Sequence, residues 1–231
     1  MRCLLQLGLH NPCVPIYRYL FTFTGYMEHN LIMDTTGEKL IKLVRSQGLV
    51  RPRDLEPHGI SRVSLTRAVR RGQLERIGRG LYGLPVRTVS AHGSLAEVAR
   101  RVPKGVVCLL SALRFHGLTT QAPFEVWLAI ENKAIAPKFD TPPLRIVRFS
   151  GDALTEGVEQ HVVDGVTIRI TSVAKTVADC FKYRNKIGLD VALEALREAW
   201  HEKRMTSDDL WHCAKICRVA NVMRPYLESL A

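Results

Sequence analysis

The sequence predicts an α+β protein, with helices and strands segregated along the chain, on three observations. Residues 35–72 carry three helix signals in succession, two from apolar spacing and a short one from a first-turn proline. Residues 73–84 and 124–170 carry strand-like runs separated by turn residues, and from residue 172 onward the spacing is helical again. With 231 residues, 46% apolar and 24% charged, the chain is long and apolar enough to build a core without metal or disulfide staples. That composition argues against disorder and against a cysteine scaffold, and the six scattered cysteines read as reduced, packed thiols.

Residues 1–33 are apolar and aromatic but broken by Asn11, Pro12, Pro15 and Arg18, so they lack the roughly 18–20 apolar residues of a membrane span. They also lack the clean cleavage pattern of a secretory signal. Met27 and Met33 stand just before the first helix signal, and residues 1–33 are therefore expected to form a loosely structured extension from an upstream start. No membrane association is expected, and a cytoplasmic location is.

Thr35-Thr36-Gly37-Glu38 has the spacing of a capping box, and Leu40, Leu43 and Val44 continue it as a first helix up to Gly48. Pro52 suits the first turn of a short second helix, which Pro57 and Gly59 close. Ser61 caps a third helix over residues 62–71, with Leu65, Ala68 and Val69 turned inward and Gly72 as the stop. Two strand-like segments follow, 73–77 and 81–84, with Gly78-Arg79-Gly80 supplying the hairpin turn.

Charge gives this region its meaning. The chain has 33 Lys+Arg against 22 Asp+Glu, and residues 34–87 alone hold twelve basic and five acidic side chains. Such concentration points to a polyanionic partner, nucleic acid first. At 100° per residue the face opposite the inward stripe of the third helix carries Val63, Ser64, Thr66, Arg67, Arg70 and Arg71, with Arg62 on the flank and no carboxylate. Three helices and a hairpin in this order describe a winged helix-turn-helix, which inserts its last helix into the major groove and lays the hairpin along nearby phosphates. Arg67 and Arg70 are aimed at base edges. Ser64 and Thr66 suit bases or phosphates, Val63 suits a thymine methyl, and Arg62, Arg71, Arg76 and Arg79 suit phosphates.

The segments 48–55 (GLVRPRDL), 59–65 (GISRVSL) and 72–82 (GQLERIGRGLY) closely resemble the amino-terminal domain of AbiEi-type antitoxins. Residues 103–113 (PKGVVCLLSAL), 116–121 (HGLTTQ) and 172–182 (SVAKTVADCFK) resemble that family's carboxy-terminal domain, so the resemblance covers residues 34–231. It implies an antitoxin of a type IV toxin-antitoxin module linked to abortive phage infection, whose winged helix represses its own operon at promoter repeats. It further implies a toxin of nucleotidyltransferase fold, with neutralisation that need not involve direct contact. The domain division expected is 34–86 for the DNA-binding unit and 88–231 for the antitoxin unit.

In the second unit, residues 95–102 and 106–115 read as helices, and 124–130 and 144–149 as strands. Residues 158–163 and 166–170 read as a hairpin about Asp164-Gly165, forming with the earlier strands a small mixed or antiparallel sheet. Ser172 caps a helix to about residue 183, and further helices are expected over roughly 190–201, 207–217 and 220–230.

Several motifs there suggest chemistry, and each has a structural reading. Ser172-Val173-Ala174-Lys175 spells the Ser-x-x-Lys of serine acyl-transfer enzymes without their companion motifs, which favours Ser172 as a helix cap. Glu131-Asn132-Lys133, with Glu125 and Asp140, hints at a metal-dependent nuclease or other DNA-modifying enzyme carrying the same reader domain, the alternative to a non-enzymatic regulator, with a protein-binding winged helix as a third reading. His212, Cys213 and Cys217 lack the ligand spacing of structural zinc. No catalytic residue, cofactor or metal is expected. Lys182, Arg184 and Lys186, with Lys203 and Arg204, form two smaller basic clusters that suit helix ends or a secondary surface for nucleic acid or an acidic toxin.

Overall fold

The computed structural model describes residues 35–86 and 90–229; the expected extension over residues 1–33 and its upstream start lie outside the described residues. The first helix, α1 (Thr35–Gln47), ends at Gly48, whose φ of +66° is open to glycine at little cost. A two-residue strand, β1 (Leu49–Val50), follows, then a 3-10 helix (Pro52–His58) and α2 (Arg62–Arg70). The hairpin is β2 (Glu75–Gly78) and β3 (Leu81–Gly83), and the antiparallel sheet runs β1-β3-β2. Leu40, Val44, Leu55, Ile60, Leu65 and Leu74 close a core between these elements. The helix order and the hairpin follow the sequence expectation; β1 was not anticipated, because two residues carry no period.

The second unit is a five-stranded mixed sheet, ordered β6-β5-β4-β8-β7, between helices. Its strands are β4 (Val106–Val107), β5 (Val126–Glu131), β6 (Leu144–Phe149), β7 (Val158–Val163) and β8 (Val166–Thr171). One face is covered by α3 (Gly93–Arg101) lying on β8. The other is covered by α4 (Leu109–Phe115) and by α6 (Val173–Lys182), which is buried along most of its length and packed against α8 (Leu189–His201) and α9 (Ser207–Ile216). Short helices α5 (Asp152–Thr155) and α7 (Arg184–Ile187), and a terminal α10 (Ala220–Glu228), complete the chain.

Alternation explains the layers: Val106, Trp127, Ala129, Val147 and Phe149 enter the core on the α6 side, and Val107, Val126, Leu128 and Ile130 enter the core on the α3 side. The second core also contains Leu49 and Leu81, so the two units share one apolar cluster.

Two expectations need correction. Residues 106–115 do not form one helix: Val106 and Val107 bridge β5 and β8 as a central strand, and the helix starts at Leu109. Two adjacent β-branched valines, both buried, fit a strand covered on both faces, which helical periodicity cannot distinguish. The strand expected from residue 124 starts at Val126, because Phe124 points into solvent, 88% exposed.

Candidate nucleic-acid interface

α2 packs on α1 and on the 3-10 helix through Leu65 and Ala68, leaving its other side outward. Val63 is 56% exposed, and Thr66, Arg67, Arg70 and Arg71 are exposed with it. Among the described residues neither Arg67 nor Arg70 has a carboxylate partner, and no acidic residue lies in the first turn of α2. Arg62 is exposed and pairs with Glu56 at 3.0 Å. At the wing, Arg76 and Arg79 are exposed, and Gly80 carries the turn with φ +67°.

Ser64 departs from expectation. It is buried, with its hydroxyl 3.2 Å from that of Ser61, because one helical turn sets it 40° from Ala68 on the inward flank. It therefore cannot present its hydroxyl to DNA from the outer face.

The tertiary structure adds cations that sequence reasoning missed. A groove of about 490 Å³ lies between the 3-10 helix, the start of α2, the wing tip and the connection after β5. Arg53, Arg62, Arg79, Arg101 and Lys138 line it. Arg101 donates to the Thr141 carbonyl, lies 4.6 Å from the Phe139 ring centroid and packs against Gly78, where any Cβ would collide with it. Lys138 belongs to a segment distant in sequence with no periodicity, so only the fold brings it to the wing.

The smaller basic clusters separate. Lys182 and Arg184 share a hollow of about 890 Å³ with Lys215 and Arg218, which the sequence did not single out. Arg204 lines a different hollow with Glu159, Asp209 and His212, and donates to the His116 carbonyl. Lys186 lies 5.5 Å from the Tyr183 ring, and Lys203 is exposed.

The motifs with chemical readings resolve into structure. Ser172 caps α6, its hydroxyl accepting from the Lys175 backbone N–H at 3.3 Å. The Lys175 ammonium, fully buried, donates to both oxygens of Asp179 at 2.7 and 2.6 Å and stands 4.7 Å from the Phe149 ring centroid. Burial opposes its charge, but Asp179 more than offsets this and holds the amine above its ordinary range. The Cys217 thiol donates to Asp179 Oδ1 at 3.1 Å, and burial pushes that thiol up to about 12 and Cys213 up to about 11. Raised thiols of this kind are inert at neutral pH. The Lys175–Asp179 pair was not foreseen, although the spacing of four along a helix was a readable signal.

Glu131 and Lys133 are exposed at the end of β5, while Glu125 precedes the opposite end and binds Arg145 at 2.7 Å. A six-residue strand separates these carboxylates by roughly 20 Å, too far to share one magnesium ion. Among the described residues no group of three or more His, Cys, Asp or Glu is placed to hold a metal. His116 is buried, and its Nε2 lies 2.7 Å from the Thr171 carbonyl; burial lowers its pKa, so the neutral ring donates from Nε2. Among the described residues no helix is long and apolar enough to cross a membrane.

Residues 38–85, from α1 to the end of the wing, match a family model described as transcriptional regulator, AbiEi antitoxin. No curated protein matches the chain.

Proposed function

We propose that this chain, an AbiEi-type transcriptional regulator over residues 38–85, binds promoter DNA through α2 and the β2–β3 wing, represses its own operon, and serves as the antitoxin of a type IV module. The single observation that carries the DNA-binding part is the outer face of α2: Val63, Thr66, Arg67 and Arg70 are exposed on one side of a helix whose other side is buried. Arg67 and Arg70 suit guanine edges in the major groove, where bidentate arginine contacts discriminate sequence. Arg62, Arg71, Arg76 and Arg79 suit the flanking phosphates, which fix register without reading bases. The antitoxin role, with a toxin of nucleotidyltransferase fold as its counterpart in the cytoplasm, is carried by the resemblance of residues 103–113, 116–121 and 172–182 to the family's second domain. No catalytic step is assigned to the chain.

The test is a gel-shift titration with the chain's own promoter in magnesium buffer. A retarded, uncut band that weakens steeply with salt is expected. Absence of retardation would sink the DNA-binding reading, and cleavage products lost in Glu131→Gln would replace it with a nuclease. For the second half, co-expression with the adjacent toxin gene should restore growth, and failure to restore it would remove the antitoxin role.

A further inference from the structure

We infer that the second unit takes part in DNA binding: Lys138, in the connection between β5 and β6, contacts the phosphodiester backbone in the groove that starts at the wing tip. The inference rests on the DNA-binding reading of α2 and extends the footprint beyond the winged helix.

Three observations carry it. First, the groove is continuous with the proposed interface, since Arg62 at the start of α2 and Arg79 at the wing tip line it together with Lys138. A duplex seated on α2 therefore has its neighbouring phosphates directed toward this hollow. Second, the charge is one-sided. Arg51, Arg53, Arg62, Arg79, Arg101 and Lys138 line the groove, and among the described residues no carboxylate does. Of the carboxylates on neighbouring segments, Asp54 is held by Arg51 and Arg100 and Glu56 by Arg62, while Asp140 is exposed two residues beyond Lys138 and outside the groove lining. Third, the chain immediately after Lys138 is tied to the wing. Arg101 of α3 lies over Phe139, donates to the Thr141 carbonyl and fills the space left by Gly78 of β2, tying both sides of the groove to one guanidinium. A cationic side chain carried on an anchored backbone near a second phosphate contact releases counterions on binding without an added ordering cost for that backbone.

The experiment measures affinity of the full chain for operator and for random duplex DNA between 50 and 200 mM salt, for wild type, Lys138→Ala, Lys138→Arg and Arg79→Ala. Lys133→Ala, exposed in the same connection but outside the groove, is the control. Loss of one phosphate contact lowers the salt slope by about 0.9, so the affinity drop across this range shrinks by about 3.5-fold. Lys138→Ala should show this on both DNAs, Lys138→Arg should retain the wild-type slope, and Lys133→Ala should not differ from wild type. A wild-type slope in Lys138→Ala, alongside a reduced one in Arg79→Ala, would overturn the second unit's role while leaving the winged-helix reading intact. A change of equal size in Lys133→Ala would also overturn it, by showing a diffuse charge effect. No binding by wild type would remove both.

Discussion

At the residue scale, the roles within α2 and the wing divide by what each cation faces. Arg67→Ala and Arg70→Ala should each weaken specific binding by about 1–3 kcal/mol and relax preference at one base pair. Arg79→Ala should lower affinity on every sequence alike, as salt titrations on operator and random duplexes would reveal. The buried Lys175–Asp179 pair belongs to stability. Lys175→Met leaves the Asp179 carboxyl, which burial already raises, without its cation in a dry site, which costs about 3–5 kcal/mol. Replacing both, Lys175→Met with Asp179→Leu, should recover most of that loss in urea denaturation, because the desolvation penalty of both ions disappears. If the double variant were as unstable as the single, the pair would have a role beyond charge compensation.

At the element scale, two helix-terminating glycines with nearly the same backbone geometry have unequal surroundings. Gly48 and Gly72 have φ +66° and +68°, yet nothing lies near a Cβ at Gly72, while one at Gly48 would collide with the Asp164 carbonyl in the β7–β8 turn. Gly72→Ala should cost about 1–2 kcal/mol, the strain of a left-handed alanine. Gly48→Ala should cost more, and the excess measured by thermal denaturation reports how tightly the end of α1 sits on the second unit's hairpin. Equal losses would mean that this contact yields freely. Helix spacing and capping residues made most elements readable. Short pieces such as β1, β4 and α5 were not, since a few residues hold no period and exist only because a neighbouring strand or helix covers them.

At the scale of the whole molecule, α3 couples the two units. Leu49 and Leu81 join Leu95 and Val98 in one apolar cluster, and Asp54 is held between Arg51 and Arg100 of α3 at 3.4 and 2.9 Å. Burial pushes the Asp54 carboxyl upward, but hydrogen bonds from Arg51 and the charge of Arg100 bring it below its usual 3.8. A carboxylate lowered in the folded state stabilises it fully above the unfolded value, and that contribution fades as pH falls through the folded one. The stability difference between wild type and Asp54→Asn should thus be greatest near neutral pH and shrink below about pH 3.8, as urea midpoints across pH would show. A difference independent of pH would mean that Asp54 contributes through shape alone.

The amino-acid sequence by itself determined the α+β class, the three-helix-plus-hairpin order of residues 35–84, the DG hairpin and the inward stripe of α2, because periodicity, capping and turn chemistry are local. It also identified the arginines of the outer helix face, since 100° per residue fixes which side chains oppose a known core. Only the tertiary structure decided that Ser64 turns inward, that Val106–Val107 is a strand, that Lys175 is paired with Asp179, and that Lys138 and Arg101 meet the wing. The central strand and the cations beside the wing depend on contacts between residues far apart in the chain, which no local spacing encodes, whereas Ser64 and the Lys175–Asp179 pair had a local signal whose outcome burial decided.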